Sequence, residues 1–126
     1  MRLSDTEYET LVEKPFNSQV FRVLSSRYCR YVLYLFACST DRAMTFDELS
    51  DGVRRIAAQT DHSGPDDRYE AILIDEALPE LATVGAIDYD PRTRTVRYHP
   101  QPTLDEYAHH SAYQELPAET VDAGLD

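Results

Sequence analysis

Ile87 and Tyr89 alternate with Asp88 and Asp90, and a few residues later Val96 and Tyr98 alternate with Thr95, Arg97 and His99. A period of two marks strands with one buried face. Between them Asp90-Pro91-Arg92-Thr93 fits a type I turn, with Asp first and Pro second. The segment therefore reads as a β-hairpin whose tip and outer face carry Arg92, Arg94 and Arg97. Elsewhere residues 44 to 46 offer only a very short extended link, and the other apolar patterns recur at three- and four-residue steps. The expected fold class is mainly α with a small β-hairpin.

The strongest helical pattern is RYCRYVLYLFAC at 27–38, where Tyr28, Tyr31, Val32, Leu35 and Phe36 form a wide apolar face. Ser25-Ser26 supplies its N-cap, and a shorter helix capped by Asn17 or Ser18 precedes it. Thr45 and Glu48 have capping-box spacing, and Phe46, Leu49, Val53 and Ile56 then predict a helix over 46–58. QTDHSGPDD is turn chemistry. From Pro65 to Val84 helical spacing returns, with Pro65 expected in the first turn. Pro79 has no donor for the carbonyl of Asp75, which predicts a kink or an early end. Gly85 stands where a left-handed cap belongs.

Two further capping boxes, Ser4 with Glu7 and Thr103 with Glu106, predict helices over 4–14 and 103–115. The organisation expected is an N-terminal helical extension (1–16), a central domain (17–100), a C-terminal helix (101–116) and an acidic disordered tail (117–126).

No run of eighteen apolar residues occurs, and the N-terminus turns acidic before any apolar stretch of signal length. A cytoplasmic protein without a membrane segment is expected. The net charge is −11, with eleven arginines, one lysine (Lys14) and 23 acids. Concentrated salt screens such self-repulsion, so this balance points to a halophilic cytoplasm; an acidic protein with disordered ends is the competing account. The ends do carry part of the excess. Residues 20–100 hold ten basic and thirteen acidic residues, a local net of −3.

Cys29 and Cys38 show no CxxC spacing, and the four histidines are scattered, so buried thiols are expected and no metal site. No phosphate loop, nucleophile elbow or Ser-His-Asp set is legible; neither an enzyme nor a cofactor is expected.

Helix, short link, helix, helix and hairpin is the order of a winged helix-turn-helix, here with extra N- and C-terminal helices. LSSRYCRYVLYLF at 24–36, FDELSDGVRRIAA at 46–58, and LPELATVGAIDYD at 78–90 followed by TVRY resemble the uncharacterised haloarchaeal winged-helix domain family, itself similar in layout to ArsR-type regulators. The resemblance spans about residues 18–99. It implies a haloarchaeal cytoplasmic protein with a DNA-binding fold, and a proline at the position of Pro79.

A DNA-binding transcriptional regulator would place Arg92, Arg94 and Arg97 of the wing on phosphates or in the minor groove, with Arg68, Arg54 and Arg55 as further anchors on double-stranded DNA. The competing account pairs the wing arginines with Asp88, Asp90 and the acidic tail. One departure stands out. The helix that would enter the major groove exposes Asp67, Glu70, Ala71, Ile74 and Asp75, with Arg68 its one basic residue, and carboxylates repel phosphates. The alternative function is a protein–protein interaction module on the same scaffold. Its tyrosines argue less strongly, since Tyr28, Tyr31, Tyr69, Tyr89 and Tyr98 are expected to face inward. A homodimer through the terminal helices is expected, because such regulators pair two heads about 34 Å apart.

Overall fold

The computed structural model describes residues 18–37, 39–60 and 65–116. The expected helix over 4–14, Cys38, His62 and the tail at 117–126 lie outside them. In chain order the elements are α1 (Ser18–Ser25), α2 (Arg27–Ala37), β1 (Ala43–Thr45), α3 (Phe46–Thr60), α4 (Tyr69–Ile72), a π-helical turn (Leu73–Ala77), α5 (Leu78–Thr83), β2 (Ile87–Asp90), β3 (Thr95–Tyr98) and α6 (Pro102–Glu115). The fold is mainly α with a small antiparallel sheet of order β1-β3-β2. It is a winged helix-turn-helix arrangement with an added C-terminal helix. The expected link at 44–46 becomes a true strand one residue earlier, with Met44 opposite Val96.

Helix α2 is the centre of the core. Tyr28, Cys29 and every residue from Tyr31 to Phe36 are buried, and α1, α3, the π turn, α5 and α6 all pack on it. A side chain of this kind contributes about 1.5–3 kcal/mol when fully buried, which is why its apolar face extends so far around the helix. Ser26 separates α1 from α2, its carbonyl accepting the N–H of Arg30 at 3.0 Å. Gly52 lets α3 approach α2 closely, because a Cβ there would stand 2.7 Å from Leu35 Cδ2.

Local chemistry fixes the helix ends. At the start of α3, Thr45 N–H donates to Glu48 Oε1 at 3.0 Å while Glu48 N–H donates to Thr45 Oγ1 at 3.2 Å, a complete capping box. Pro65 does not begin a helix as expected. The Asp66 carboxylate accepts the N–H of Arg68 at 2.8 Å and its carbonyl that of Tyr69 at 2.9 Å, which spends those donors on a turn and delays the helix to Tyr69.

Pro79 does not end its helix early. The preceding turn widens instead, so that Leu78 N–H bonds the carbonyl of Leu73, five residues back. The wider turn accommodates a ring that cannot donate and that crowds the carbonyl behind it. The helix then runs to Thr83 and closes as expected at Gly85 (φ 78°). There Gly85 N–H bonds Ala82 and Ala86 N–H bonds Leu81, the paired bonds of a left-handed glycine cap.

Strands β2 and β3 pair in register from Ile87 opposite Tyr98 to Asp90 opposite Thr95. Val96 and Tyr98 face the core, where Tyr98 stacks on Phe36 with centroids 5.0 Å apart. Helix α6 lies along α2 through Leu104, Ala108, Ala112 and Leu116. Of the five tyrosines expected to face inward, Tyr28, Tyr31 and Tyr98 are buried, and Tyr69 and Tyr89 pack partly buried against the core.

Candidate nucleic-acid interface

The six arginines expected to meet DNA fall into two groups. On α3, Arg54 and Arg55 share one carboxylate: Arg54 Nη2 lies 2.6 Å from Asp51 Oδ1, and Arg55 Nε lies 3.6 Å from Asp51 Oδ2. Three- and four-residue spacing on a helix brings these groups together. The hydrogen bond from Arg54 holds the Asp51 carboxyl below its ordinary range. One of the two positive charges is thus already balanced. Arg68, just before α4, is exposed, and among the described residues its side chain has no carboxylate partner.

The wing is built differently. Asp90, at the end of β2, accepts the backbone N–H of Arg92 at 3.0 Å and so shapes the turn. Asp88 Oδ2 lies 2.6 Å from His99 Nε2 rather than on Arg97, its register neighbour. Both wing carboxylates are exposed but engaged locally, and among the described residues neither is ion-paired to an arginine. Arg92 and Arg97 are exposed and carry no ion pair among the described residues.

Arg94 behaves otherwise. It has φ 54°, a left-handed conformation that costs a side-chain-bearing residue about 1–2 kcal/mol. In return its carbonyl accepts Phe46 N–H at 2.8 Å, its guanidinium stands 5.2 Å from the centre of the Phe46 ring, and Nη2 lies 3.6 Å from Asp47 Oδ1. Arg94 ties the wing tip to the first turn of α3. Asp47 was not singled out from the sequence, and nothing local could have paired residues so far apart in the chain. Asp51 was not singled out either, although its three- and four-residue spacing from Arg54 and Arg55 is a signal that could have found it.

The α4–α5 helix presents the acidic face expected of it. Asp67, Glu70, Ala71 and Asp75 are exposed, and so is Glu76. Ile74, 37% exposed, is one of few large apolar side chains on the surface. Glu80 turns the other way, with Oε2 3.5 Å from the Cys29 sulfur, which also lies 3.8 Å from the carbonyl of Ala77. Burial, with the neighbouring Glu80 carboxylate, pushes the Cys29 thiol up to about 12, so it is a neutral core group.

Among the described residues no group of three or more His, Cys, Asp or Glu is placed to hold a metal ion, and no helix is long and apolar enough to cross a membrane. Helix-turn-helix, paired third strand and rigidly attached hairpin define the chain's class as a winged-helix domain. Within that class, residues 21–97 match the model of the family described as Domain of unknown function (DUF7344). The match spans more than half of the chain, which belongs to this family. It begins in α1 and ends in β3, and α6 lies outside the matched residues. No curated protein and no solved structure matches the chain.

Proposed function

We propose that the protein is a DNA-binding transcriptional regulator that grips the phosphate backbone with its wing and does not read bases with its acidic α4–α5 helix. The observation that carries this reading is the engagement of Asp88 by His99 and of Asp90 by the Arg92 backbone, which leaves the cationic heads of Arg92 and Arg97 to an external anion. Arg68 and the net positive Asp51-Arg54-Arg55 cluster add positive charge on the helix-turn-helix. The acidic face of α4 opposes base contact, since phosphates flank every approach to the groove. In this reading the protein works as a homodimer in a haloarchaeal cytoplasm, where concentrated salt demands several phosphate contacts per complex.

Fluorescence anisotropy of a random-sequence duplex across a salt series tests it. Each phosphate neutralised contributes about −0.9 to the slope of log affinity against log salt, so Arg92→Ala with Arg97→Ala should flatten the slope by about 2 per protomer. Absence of binding at the lowest salt that keeps the chain folded would sink the proposal.

A second reading, a protein-interaction module, is favoured by Ile74, whose apolar surface sits among Glu70, Ala71 and Asp75 on the face that DNA would repel. Its test is co-purification from native extract in wild type and in Ile74→Asp. A partner lost in the variant supports it, whereas a monomer with nothing retained in either counts against it.

A further inference from the structure

A cavity of about 400 Å³ opens where the end of α1, the outer side of α2 and the last turns of α6 meet. Its size is within the range of small-ligand sites, about 300–1,000 Å³. None of the six arginines assigned to DNA lines it.

Three donors converge there on a single carboxylate. Arg30 Nε lies 3.1 Å from Glu115 Oε1 and Arg30 Nη2 lies 3.0 Å from Oε2, while the Tyr34 hydroxyl donates to Oε1 at 2.6 Å. The remaining arm of the guanidinium, Nη1, donates to the carbonyl of Leu24 at 3.1 Å, an otherwise orphaned acceptor in the last turn of α1. The fork is therefore anchored from behind and aimed at a planar two-oxygen group, the geometry in which arginine binds carboxylates best. Burial alone would push Glu115 up, but the hydrogen bonds from Arg30 and Tyr34 outweigh it and hold its carboxyl below the ordinary range.

The two sides of this contact stand on different helices. Arg30 and Tyr34 stand on the most buried helix of the core. Glu115 is the last residue of α6, a helix whose inner face is half alanine and so buries little area per turn. The donors stand on the core helix, and the carboxylate arrives on the last residue of α6, just before the buried Leu116.

We propose that Arg30 and Tyr34 form a binding site for a small aromatic monocarboxylate, in which Glu115 is an internal occupant that the ligand displaces. One guanidinium in a half-buried site balances one negative charge; a phosphate dianion would leave an unpaired charge there. Beside the seat, Leu24 and the ring of Tyr107 provide apolar wall, and Ser111 and Gln114 provide polar edge. A ligand in the seat frees the end of α6. This site is independent of what the wing binds.

The test uses the full chain at fixed salt, with benzoate as probe and benzamide and phenyl phosphate as comparators, followed through the amide NMR shifts of Ser111 and Gln114. Glu115→Gln removes the internal competitor and should bind benzoate roughly tenfold more tightly than wild type, while benzamide produces no saturable shift. Adding Arg30→Gln to that variant should abolish binding, and adding Tyr34→Phe should weaken it severalfold. Circular dichroism verifies the fold of each. A folded Glu115→Gln variant that ignores benzoate, a response unchanged by both Arg30→Gln and Tyr34→Phe, or phenyl phosphate binding as tightly as benzoate would each overturn the assignment.

Discussion

The two elements that a winged helix offers to a duplex have opposite signs in this protein. Residues 65–84, the α4–α5 helix with its lead-in, carry six carboxylates and one arginine, whereas residues 91–97 of the wing carry three arginines and no acid. Both are held by the same core and both face outward, so topology does not separate them. What separates them is where their carboxylates go. On the wing, Asp88 and Asp90 are consumed by His99 and by the turn. In residues 65–84 Asp66 likewise takes a backbone N–H, but Glu70 of α4 and Asp75 of the π turn stay exposed, and among the described residues neither forms an ion pair. A winged helix is thus a presentation device, and the local use of each acid decides which surface attracts an anion.

The sharpest way to break this contrast is to reverse the sign of the wing. Arg92→Glu with Arg97→Glu should lower duplex affinity about a hundredfold at low salt, because two attractive contacts become repulsive. An unchanged isotherm would mean that the wing does not touch the duplex. The next largest effect concerns the shared scaffold. In Gly52→Ala the new Cβ meets Leu35 at 2.7 Å, and the overpacking should cost about 1–3 kcal/mol in chemical denaturation. Wing and helix should lose order together, since both are referenced to the α2–α3 contact. Smaller again is the helix itself: Glu70→Lys with Asp75→Lys should raise duplex affinity about tenfold by removing phosphate repulsion. A fall in affinity would show instead that these carboxylates accept hydrogen bonds from cytosine edges.

The sequence reading of the fold succeeded where the deciding chemistry is local. The Thr45-Glu48 box, the Gly85 cap and the alternation of Val96 and Tyr98 each operate within a few residues, and each is present. It erred at the start of α6, where Gln101 and not Thr103 holds the N-cap position and makes no side-chain capping bond, and where two local signals competed. Pro65 is compatible with a first helical turn, but the Asp66 carboxylate takes the N–H of Arg68 and its carbonyl that of Tyr69. The expectation of a kink or an early end at Pro79 rests on the bond a proline removes; the structure carries the helix on to Thr83 by lengthening the turn before it, with Cys29 against a carbonyl of that turn. Contacts between distant residues left no trace in the sequence. Arg30 and Glu115 are 85 residues apart, and neither position has a periodicity that would pair them. The candidate interface was legible as a set of arginines, but not their division into tied and untied ones, because Asp47, Asp88 and Asp90 are indistinguishable by composition.

The smallest expected effect tests how the wing is held. Arg94 combines a strained backbone with three attachments to the first turn of α3, and these oppose one another in stability. Glycine at this position removes the left-handed penalty of about 1–2 kcal/mol but forfeits a cation–π contact of about 0.5–1 kcal/mol and an exposed ion pair worth about 0–1 kcal/mol. Arg94→Gly should therefore shift the denaturation midpoint very little. Its effect belongs in the dynamics: amides of residues 92–94 should exchange with solvent faster, because only the Phe46 N–H bond to the residue 94 carbonyl then anchors the tip. Duplex affinity should fall modestly in this variant, since the untied Arg92 and Arg97 must be ordered on binding. Unchanged exchange at 92–94 would mean that the strand pairing of β1 with β3 is sufficient to hold the wing. The contrast between wing and helix would then rest on charge alone, with no contribution from preorganisation.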